Sequence, residues 1–254
     1  MIPSVASRLK KNINRTKEKF LQGIGKTDRT SDESFDLFVE NFERQHAQAS
    51  KLVKELNKYM NNLRESQKSS RAFYETLRET YEPSWPGSEL FNEEVQLVEQ
   101  KWNDYLVKLT NDVQMPLLAY LNEFPELKKK IEKRGNRLLD YDNARHTLES
   151  AQNKTSKKLL NTSSSSSQPT NQSTDQLTKL TKLRIDLVDK QTIYEEINQT
   201  LCLSLPVLFE NRIKFYASLF QTFFHTETLF NSDLVEVKSK LDDICENLSI
   251  KYAQ

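Results

Sequence analysis

The chain has 254 residues, of which only four are glycine and seven are proline. No glycine-rich phosphate-binding motif occurs, and the shortage of turn residues excludes a fold of many short strands. Charged residues make up 29% of the chain and nearly cancel, at a formal net charge of +1, but they are unevenly distributed.

Two basic zones stand out against an acidic remainder. Residues 1–26 carry a net charge of +6, residues 128–158 carry another +6, and the rest of the chain carries −11. A local excess of Lys and Arg predicts an anionic partner. No apolar run is long enough to span a membrane, and residues 1–25 lack the apolar core of a secretory signal. We therefore predict a cytoplasmic protein with reduced cysteines.

Residues 28–82 are predicted to form the first long helix. Apolar residues recur every three and four positions from Phe35 to Tyr81, which is the spacing of a helical seam. Thr30, followed three residues later by Glu33, fits a capping box at the start of this helix. A proline at position 83 ends the helix, and the residues that follow it predict a tight turn.

A second helix is predicted from residue 88 to about residue 160. Pro116 and Pro125 fall inside its apolar seam, but the periodicity resumes after each, which indicates bends rather than ends. The serine-rich residues 161–174 predict a flexible loop. The third helix is predicted over residues 175–250, with a bend at Pro206.

Three helices of this length predict an all-α fold, an elongated antiparallel bundle rather than a compact globule. The long aromatic seams also predict apolar surface that a single copy leaves uncovered. A symmetric homodimer is the simplest way to cover such a surface. We divide the chain into an amino-terminal segment, residues 1–26, and a helical domain, residues 27–254.

The amino-terminal segment is amphipathic when it is placed on a helix. Its apolar side chains fall within about 100° of the circumference, and most of its basic side chains lie on the opposite side. The apolar set is Ile2, Val5, Leu9, Ile13, Phe20 and Ile24. The basic set is Arg8, Lys10, Lys11, Arg15, Lys17 and Lys19. This pattern is typical of a helix that inserts into an anionic membrane surface. Packing on the chain's own bundle and binding to calmodulin are the alternatives.

The second basic zone lies on the second predicted helix. Its central cluster is Lys128, Lys129, Lys130, Lys133, Arg134 and Arg137. Three further cations, Lys154, Lys157 and Lys158, directly precede the serine-rich loop. A solvated surface, an anionic lipid and nucleic acid all fit such a charge run. Nucleic acid is disfavoured, because no nucleic-acid-binding motif occurs and the rest of the chain is acidic.

No catalytic or metal site is predicted. His46, His146 and His225 fall on separate predicted helices, and none has a cysteine or a second histidine at metal-ligand spacing. We therefore expect no enzyme activity and no cofactor.

Several motifs together resemble the amphiphysin and bridging-integrator family. Residues 15–30 (RTKEKFLQGIGKTDRT) resemble its amino-terminal signature, and residues 81–87 (YEPSWPG) resemble its first turn. Residues 124–134 (FPELKKKIEKR), followed by LDYD at 139–142, form the most specific match. The similarity extends over about residues 8–250.

This resemblance implies an N-BAR domain, a crescent-shaped homodimer of three-helix coiled coils. Such a domain binds anionic phospholipid membranes, senses and induces their curvature, and acts in endocytosis or membrane remodelling. The resemblance assigns the central basic cluster to the concave face, the three lysines before the loop to the tips, and residues 2–24 to the inserting helix.

The resemblance leaves the partners partly open. It is compatible with a heterodimer with a related BAR protein. Dynamin and the clathrin machinery are expected partners only where a carboxy-terminal Src-homology-3 region is present, and this sequence contains none. The alternative function, from a different class, is a coiled-coil scaffold or tether that binds proteins only.

Overall fold

The computed structural model describes Arg15, residues 32–162 and residues 172–253. Within these ranges the regular structure is helical throughout, which confirms the all-α prediction. The helices are α1 (Glu33–Thr80), α2 (Ser88–Lys108), α3 (Met115–Leu121), α4 (Phe124–Thr162) and α5 (Gln172–Tyr252). A π-helical segment, Leu109–Gln114, joins α2 to α3. The predicted flexible loop falls largely on residues 163–171, which lie outside the described residues.

Helix α1 begins with a cap from a carboxylate. Oδ1 of Asp32 accepts a hydrogen bond from the backbone N–H of Phe35 at 3.0 Å, and the Asp36 N–H bonds the Asp32 carbonyl at the same distance. An aspartate oxygen on the free N–H groups of the first turn is a common N-cap. The predicted cap, Thr30, lies outside the described residues, and the observed helix starts five residues later than predicted.

The predicted tight turn between the first two helices is confirmed. The Trp85 N–H bonds the Glu82 carbonyl at 2.9 Å, and the Tyr81 hydroxyl donates to the Pro86 carbonyl. Gly87 then adopts φ +78°, a left-handed conformation that favours glycine. A Cβ at this position would also lie 3.1 Å from Cγ2 of Ile244.

The two prolines of the second predicted helix have different effects. Pro116 lacks the N–H that would donate a hydrogen bond in a regular α-helix, and in such a helix its ring would clash with the carbonyl of residue 112. A π-helical turn precedes Pro116 and accommodates it; in this turn the Met115 N–H donates a hydrogen bond to the Thr110 carbonyl. At Pro125 the prediction of a simple bend is wrong, because α3 ends at Leu121 and α4 starts anew at Phe124. Pro125 thus lies in a first helical turn, where its missing N–H is not needed. Helix α5 continues through Pro206 without interruption.

The chain divides into two compact units. The first unit contains residues 1–42 and 125–207, and the second unit contains residues 43–124 and 208–254. The core of the second unit is aromatic: Tyr105 stacks on Phe230 with ring centroids 4.1 Å apart, and Tyr120 stacks on Phe215 at 4.3 Å.

One buried polar residue, Gln45, is part of that second core. Its side-chain amide donates to the Tyr120 hydroxyl and, at 3.2 Å, to the Leu208 carbonyl. The amide nitrogen therefore satisfies a backbone acceptor inside an otherwise apolar helix contact. The buried amide oxygen has no hydrogen-bond partner among the described residues.

Candidate functional site

The core of the first unit is built around an arginine from the second basic zone. Arg134 is only 4% exposed, and its guanidinium carbon lies 3.6 Å from the centroid of the Phe35 ring. Its Nε donates to Asn198 at 2.8 Å, and its Nη2 donates to the Tyr194 hydroxyl at 2.9 Å and to Asp32 at 3.1 Å. The guanidinium thus ties the start of α1 to α4 and α5.

This environment corrects the assignment of Arg134 to a lipid-headgroup surface. A charge enclosed in a helix contact needs a counter-charge and hydrogen-bond partners, and Arg134 has both within the unit. Asp32 serves twice, because one carboxylate oxygen caps α1 and the other pairs with the guanidinium. Burial also raises the pKa of the neighbouring Tyr194, and the charge of Arg134 opposes that rise.

The four lysines of the central cluster are all exposed on α4. These are Lys128, Lys129, Lys130 and Lys133. Lys129 pairs with Glu126 at 2.6 Å, and this hydrogen bond raises the pKa of the lysine. Lys130 and Lys133 are exposed and form no ion pair in the described part of the chain, although the charge of Lys130 contributes to lowering the pKa of Glu126.

Lys130 and Lys133 line a groove between α4 and α5 together with Arg137. The groove has a volume of about 300 Å³. Its opposite wall consists of Ile193, Glu196, Ile197 and Thr200. Three cations face one acid here, so the groove attracts anions, and the two isoleucines give it an apolar wall. The cations were predicted from the sequence, but this wall was not, because its residues form no motif.

Arg137 is held beside the groove by an acid of its own helix. Its Nη1 lies 3.6 Å from Oδ2 of Asp140, a carboxylate that is 7% exposed. The same carboxylate receives Arg15: Nε of Arg15 donates to Oδ1 at 2.9 Å and Nη2 donates to Oδ2 at 2.8 Å. Arg15 is therefore held against α4 in this structure.

The remaining predicted site residues are less fully described. Lys154 and Lys157 are exposed on α4, whereas the side chain of Lys158 lies outside the described residues. The rest of the amino-terminal set also lies outside them: Ile2, Val5, Arg8, Leu9, Lys10, Lys11, Ile13, Lys17, Lys19, Phe20 and Ile24. Their proposed roles stay predictions.

The second unit presents a different surface, which is apolar. A groove of about 330 Å³ lies between aliphatic residues of α1 and aromatic residues of α5, among them Leu52, Leu56, Phe220 and Phe224. The Phe220 side chain is 45% exposed and that of Phe224 is 62% exposed. Exposed apolar patches of this kind are typical of surfaces that interact with a protein or a membrane.

The described residues contain no helix that could cross a membrane and no group of acids, histidines and cysteines that could hold a metal ion.

The comparisons with known proteins agree with this architecture. The family model of the BAR domain matches residues 9–246. A solved structure, the amphiphysin BAR domain from Drosophila, superimposes with a TM-score of 0.75 at 34% sequence identity, covering 89% of this chain and 97% of that one. The chain belongs to the BAR domain family, whose fold is a helical coiled-coil bundle.

Curated relatives place the chain closer to one branch of that family. Amphiphysin from Gallus gallus is 33% identical over 252 residues, which is 98% of this chain. A more distant relative, the regulator of cytoskeleton and endocytosis RVS161 from Candida albicans, is 22% identical over 245 residues, covering 92% of this chain and 85% of its own. The chain spans about a third of the length of the amphiphysins it matches.

Proposed function

We propose that this chain is a peripheral membrane protein that binds anionic phospholipids through its first unit and bends the membrane as a homodimer. The observation that carries the proposal is the pair of exposed cations, Lys130 and Lys133, which line one groove beside Arg137 and form no ion pair with the described residues. Each basic residue near an anionic membrane surface contributes about 1 kcal/mol of attraction, screened by salt.

The position of Arg134 sharpens this proposal. Because that guanidinium is buried and paired, it is left out of the headgroup set. The proposed lipid-facing cations on α4 are therefore Lys128, Lys129, Lys130, Lys133 and Arg137, with Lys154, Lys157 and Lys158 further along the helix. Residues 2–24 are proposed to insert their apolar side into the membrane and to place Arg8, Lys10, Lys11, Arg15, Lys17 and Lys19 at headgroups.

The apolar face of the second unit supports the homodimer. The exposed rings of Phe220 and Phe224 beside Leu52 and Leu56 form a continuous surface, and a second copy of the same chain offers a matching one. A dimer also doubles the number of cations that meet the membrane, and two linked contacts bind more tightly than one.

A role in endocytosis or membrane remodelling is proposed on the same basis. One relative carries endocytosis in its name, and several others are amphiphysins. A heterodimer with a related BAR protein is an alternative to the homodimer, and dynamin or clathrin partners are proposed only where a carboxy-terminal Src-homology-3 region is present.

Co-sedimentation with phosphatidylserine vesicles at physiological salt tests the proposal. The unaltered protein is expected to pellet with anionic vesicles, to stay in the supernatant with neutral ones, and to bind more weakly as salt is raised. Replacing Lys130→Glu and Lys133→Glu together is expected to weaken binding at least about tenfold, because four units of charge change per protomer.

The matched control reverses two lysines that are equally exposed but lie in the second unit, Lys68→Glu and Lys238→Glu. An equal loss in both double variants would mean that binding follows net charge and not the groove. A dimer that never binds lipid would instead support the protein-only scaffold or tether.

A further inference from the structure

The groove between α4 and α5 in the first unit has two walls of different chemistry. On α4, the cations Lys130, Lys133 and Arg137 follow one another at steps of three and four residues, so they share one helix face. The opposite wall follows the same spacing on α5 and consists of Ile193, Glu196, Ile197 and Thr200. Each wall therefore presents a continuous row of side chains to a ligand in the groove.

Glu196 is the residue that a site for a simple anion would not contain. Its side chain is exposed, and it forms no ion pair in the described part of the chain. The Thr200 hydroxyl donates to the Glu196 backbone carbonyl at 2.8 Å, which leaves the hydroxyl oxygen able to accept a hydrogen bond. A carboxylate in this place repels a phosphate and attracts an ammonium group. The groove therefore favours an anion that also carries a positive charge.

The isoleucines of the α5 wall add an apolar requirement. Ile193 is 43% exposed beside the cations, and Ile197 lies one helical turn further along the same wall. A small free anion gains nothing from contact with these side chains. A ligand that joins the charged groups to hydrocarbon gains free energy by covering them.

The headgroup of phosphatidylserine combines all of these features. Its phosphate and its carboxylate match the row of cations on α4, and its ammonium matches Glu196. The carbon atoms of its glycerol esters match the isoleucine wall. Phosphatidylglycerol carries the same net charge, but it has no ammonium group and leaves Glu196 facing a phosphate without compensation.

We propose that this groove is a recognition site for the phosphatidylserine headgroup, in which Glu196 determines specificity by accepting hydrogen bonds from the serine ammonium. Lys130, Lys133 and Arg137 bind the phosphate and the carboxylate of the same headgroup. The proposal deepens the proposed function and rests on it for the membrane setting, but general attraction to anionic lipid does not require this selectivity.

Selectivity is tested by binding of the intact protein to two sets of phosphatidylcholine vesicles. The sets contain equal fractions of phosphatidylserine or of phosphatidylglycerol, so their surface charge is the same and surface attraction alone gives equal binding. The unaltered protein is expected to prefer phosphatidylserine about threefold, the factor for one exposed charged pair. Glu196→Gln is expected to bring the ratio of the two affinities close to one.

The matched control is Glu195→Gln. Glu195 is also exposed on α5, but it lies outside the groove. The control removes the same charge, so it changes the general attraction to both lipids, and it is expected to keep the preference for phosphatidylserine. Equal binding of the two lipids by the unaltered protein overturns the proposal. An equal loss of preference in Glu195→Gln and Glu196→Gln also overturns it.

The groove itself is tested without a membrane, by nuclear magnetic resonance of the isoleucine methyl groups in the intact protein. Dihexanoyl phosphatidylserine, kept below the concentration at which it forms micelles, is expected to shift the methyl signals of Ile193 and Ile197. These signals are assigned with Ile193→Val and Ile197→Val. Dihexanoyl phosphatidylglycerol is expected to shift them less, and Glu196→Gln is expected to remove the difference between the two lipids.

Free O-phosphoserine separates a lipid ligand from a soluble one. It has the charged groups but no glycerol esters, so it is expected to bind more weakly than the short-chain lipid. Equally tight binding would contradict the assignment to a lipid, because the isoleucine wall would then contribute nothing.

The outcomes also separate this site from the proposed function. Absence of methyl shifts with dihexanoyl phosphatidylserine overturns the site even if the protein binds anionic vesicles. Failure of the unaltered protein to bind any anionic vesicle overturns the proposed function, and the methyl shifts then decide alone whether the groove recognises this headgroup.

Discussion

The two units of this chain pack their helices by different means. In the second unit, aromatic rings stack directly, as Tyr105 does on Phe230, and the buried polar side chain of Gln45 carries no charge. In the first unit, the helices meet around the buried guanidinium of Arg134, which needs Asp32, Asn198 and Tyr194 in defined positions. Apolar burial is non-directional, whereas a buried charge tolerates little rearrangement. The comparison shows that a single basic run can contain both a structural cation and surface cations.

The exposed surfaces of the two units also differ, one being apolar and the other cationic. The second unit leaves the aromatic side chains of Phe220 and Phe224 exposed to water, whereas the first leaves Lys130 and Lys133 exposed and without an ion pair to any described residue. An apolar face suits a second protein copy, and a cationic face suits an anionic surface. We therefore propose that the second unit forms the dimer and that the first unit contacts the membrane.

The largest expected effect is loss of the dimer when Phe220→Glu and Phe224→Glu are combined. Burying four carboxylates at a two-fold interface is expected to raise the dissociation constant at least about a hundredfold, measured by sedimentation equilibrium. Ile185→Glu with Val188→Glu, two equally exposed apolar residues of the first unit, is the matched control. The division of roles between the units fails if this control also dissociates, or if the phenylalanine variant stays dimeric.

Next in size is the effect of Arg134→Ala on stability. Removing the guanidinium leaves Asp32 partly buried and unpaired, and it is expected to lower the free energy of unfolding by about 3 kcal/mol in urea denaturation. Lys133→Ala, one residue earlier, is expected to change it by less than about 0.5 kcal/mol. Similar losses in the two variants would contradict the distinction between structural and surface cations.

The smallest expected effects come from one glycine in each unit, and they have opposite signs. Gly87→Ala in the second unit is expected to destabilise by about 1–2 kcal/mol, because φ is +78° and a Cβ would meet Ile244 at 3.1 Å. Gly135→Ala in the first unit is expected to stabilise by about 0.5–1 kcal/mol, because α4 runs through this position and no atom lies within 4 Å of the added Cβ. Thermal unfolding of both variants measures the pair, and two changes of the same sign would refute the argument.

The long helices could be predicted from the sequence because their seams repeat over many turns. The prediction that Arg134 lies on the surface was wrong. Arg134 follows Ile131 by three residues and precedes Leu138 by four, so the seam itself placed it inward, but its charge placed it among the surface lysines. The spacing was the better guide, since the buried partners of a cation can lie far away in the sequence.

Other features depended on contacts that no local pattern reveals. The pairing of Arg15 with Asp140 spans 125 positions, and the groove wall comes from α5 residues without a motif of their own. The break between α3 and α4 before Pro125 could not be predicted either, because the apolar periodicity continues across it and hides the interruption.

The central claim is that the intact homodimer binds anionic membranes and bends them. Electron microscopy of phosphatidylserine vesicles incubated with the protein at physiological salt tests it most directly. We expect the unaltered protein to convert spherical vesicles into narrow tubules, and the Lys130→Glu, Lys133→Glu variant to leave them spherical. Vesicles that stay spherical and bare with the unaltered, dimeric protein would contradict it.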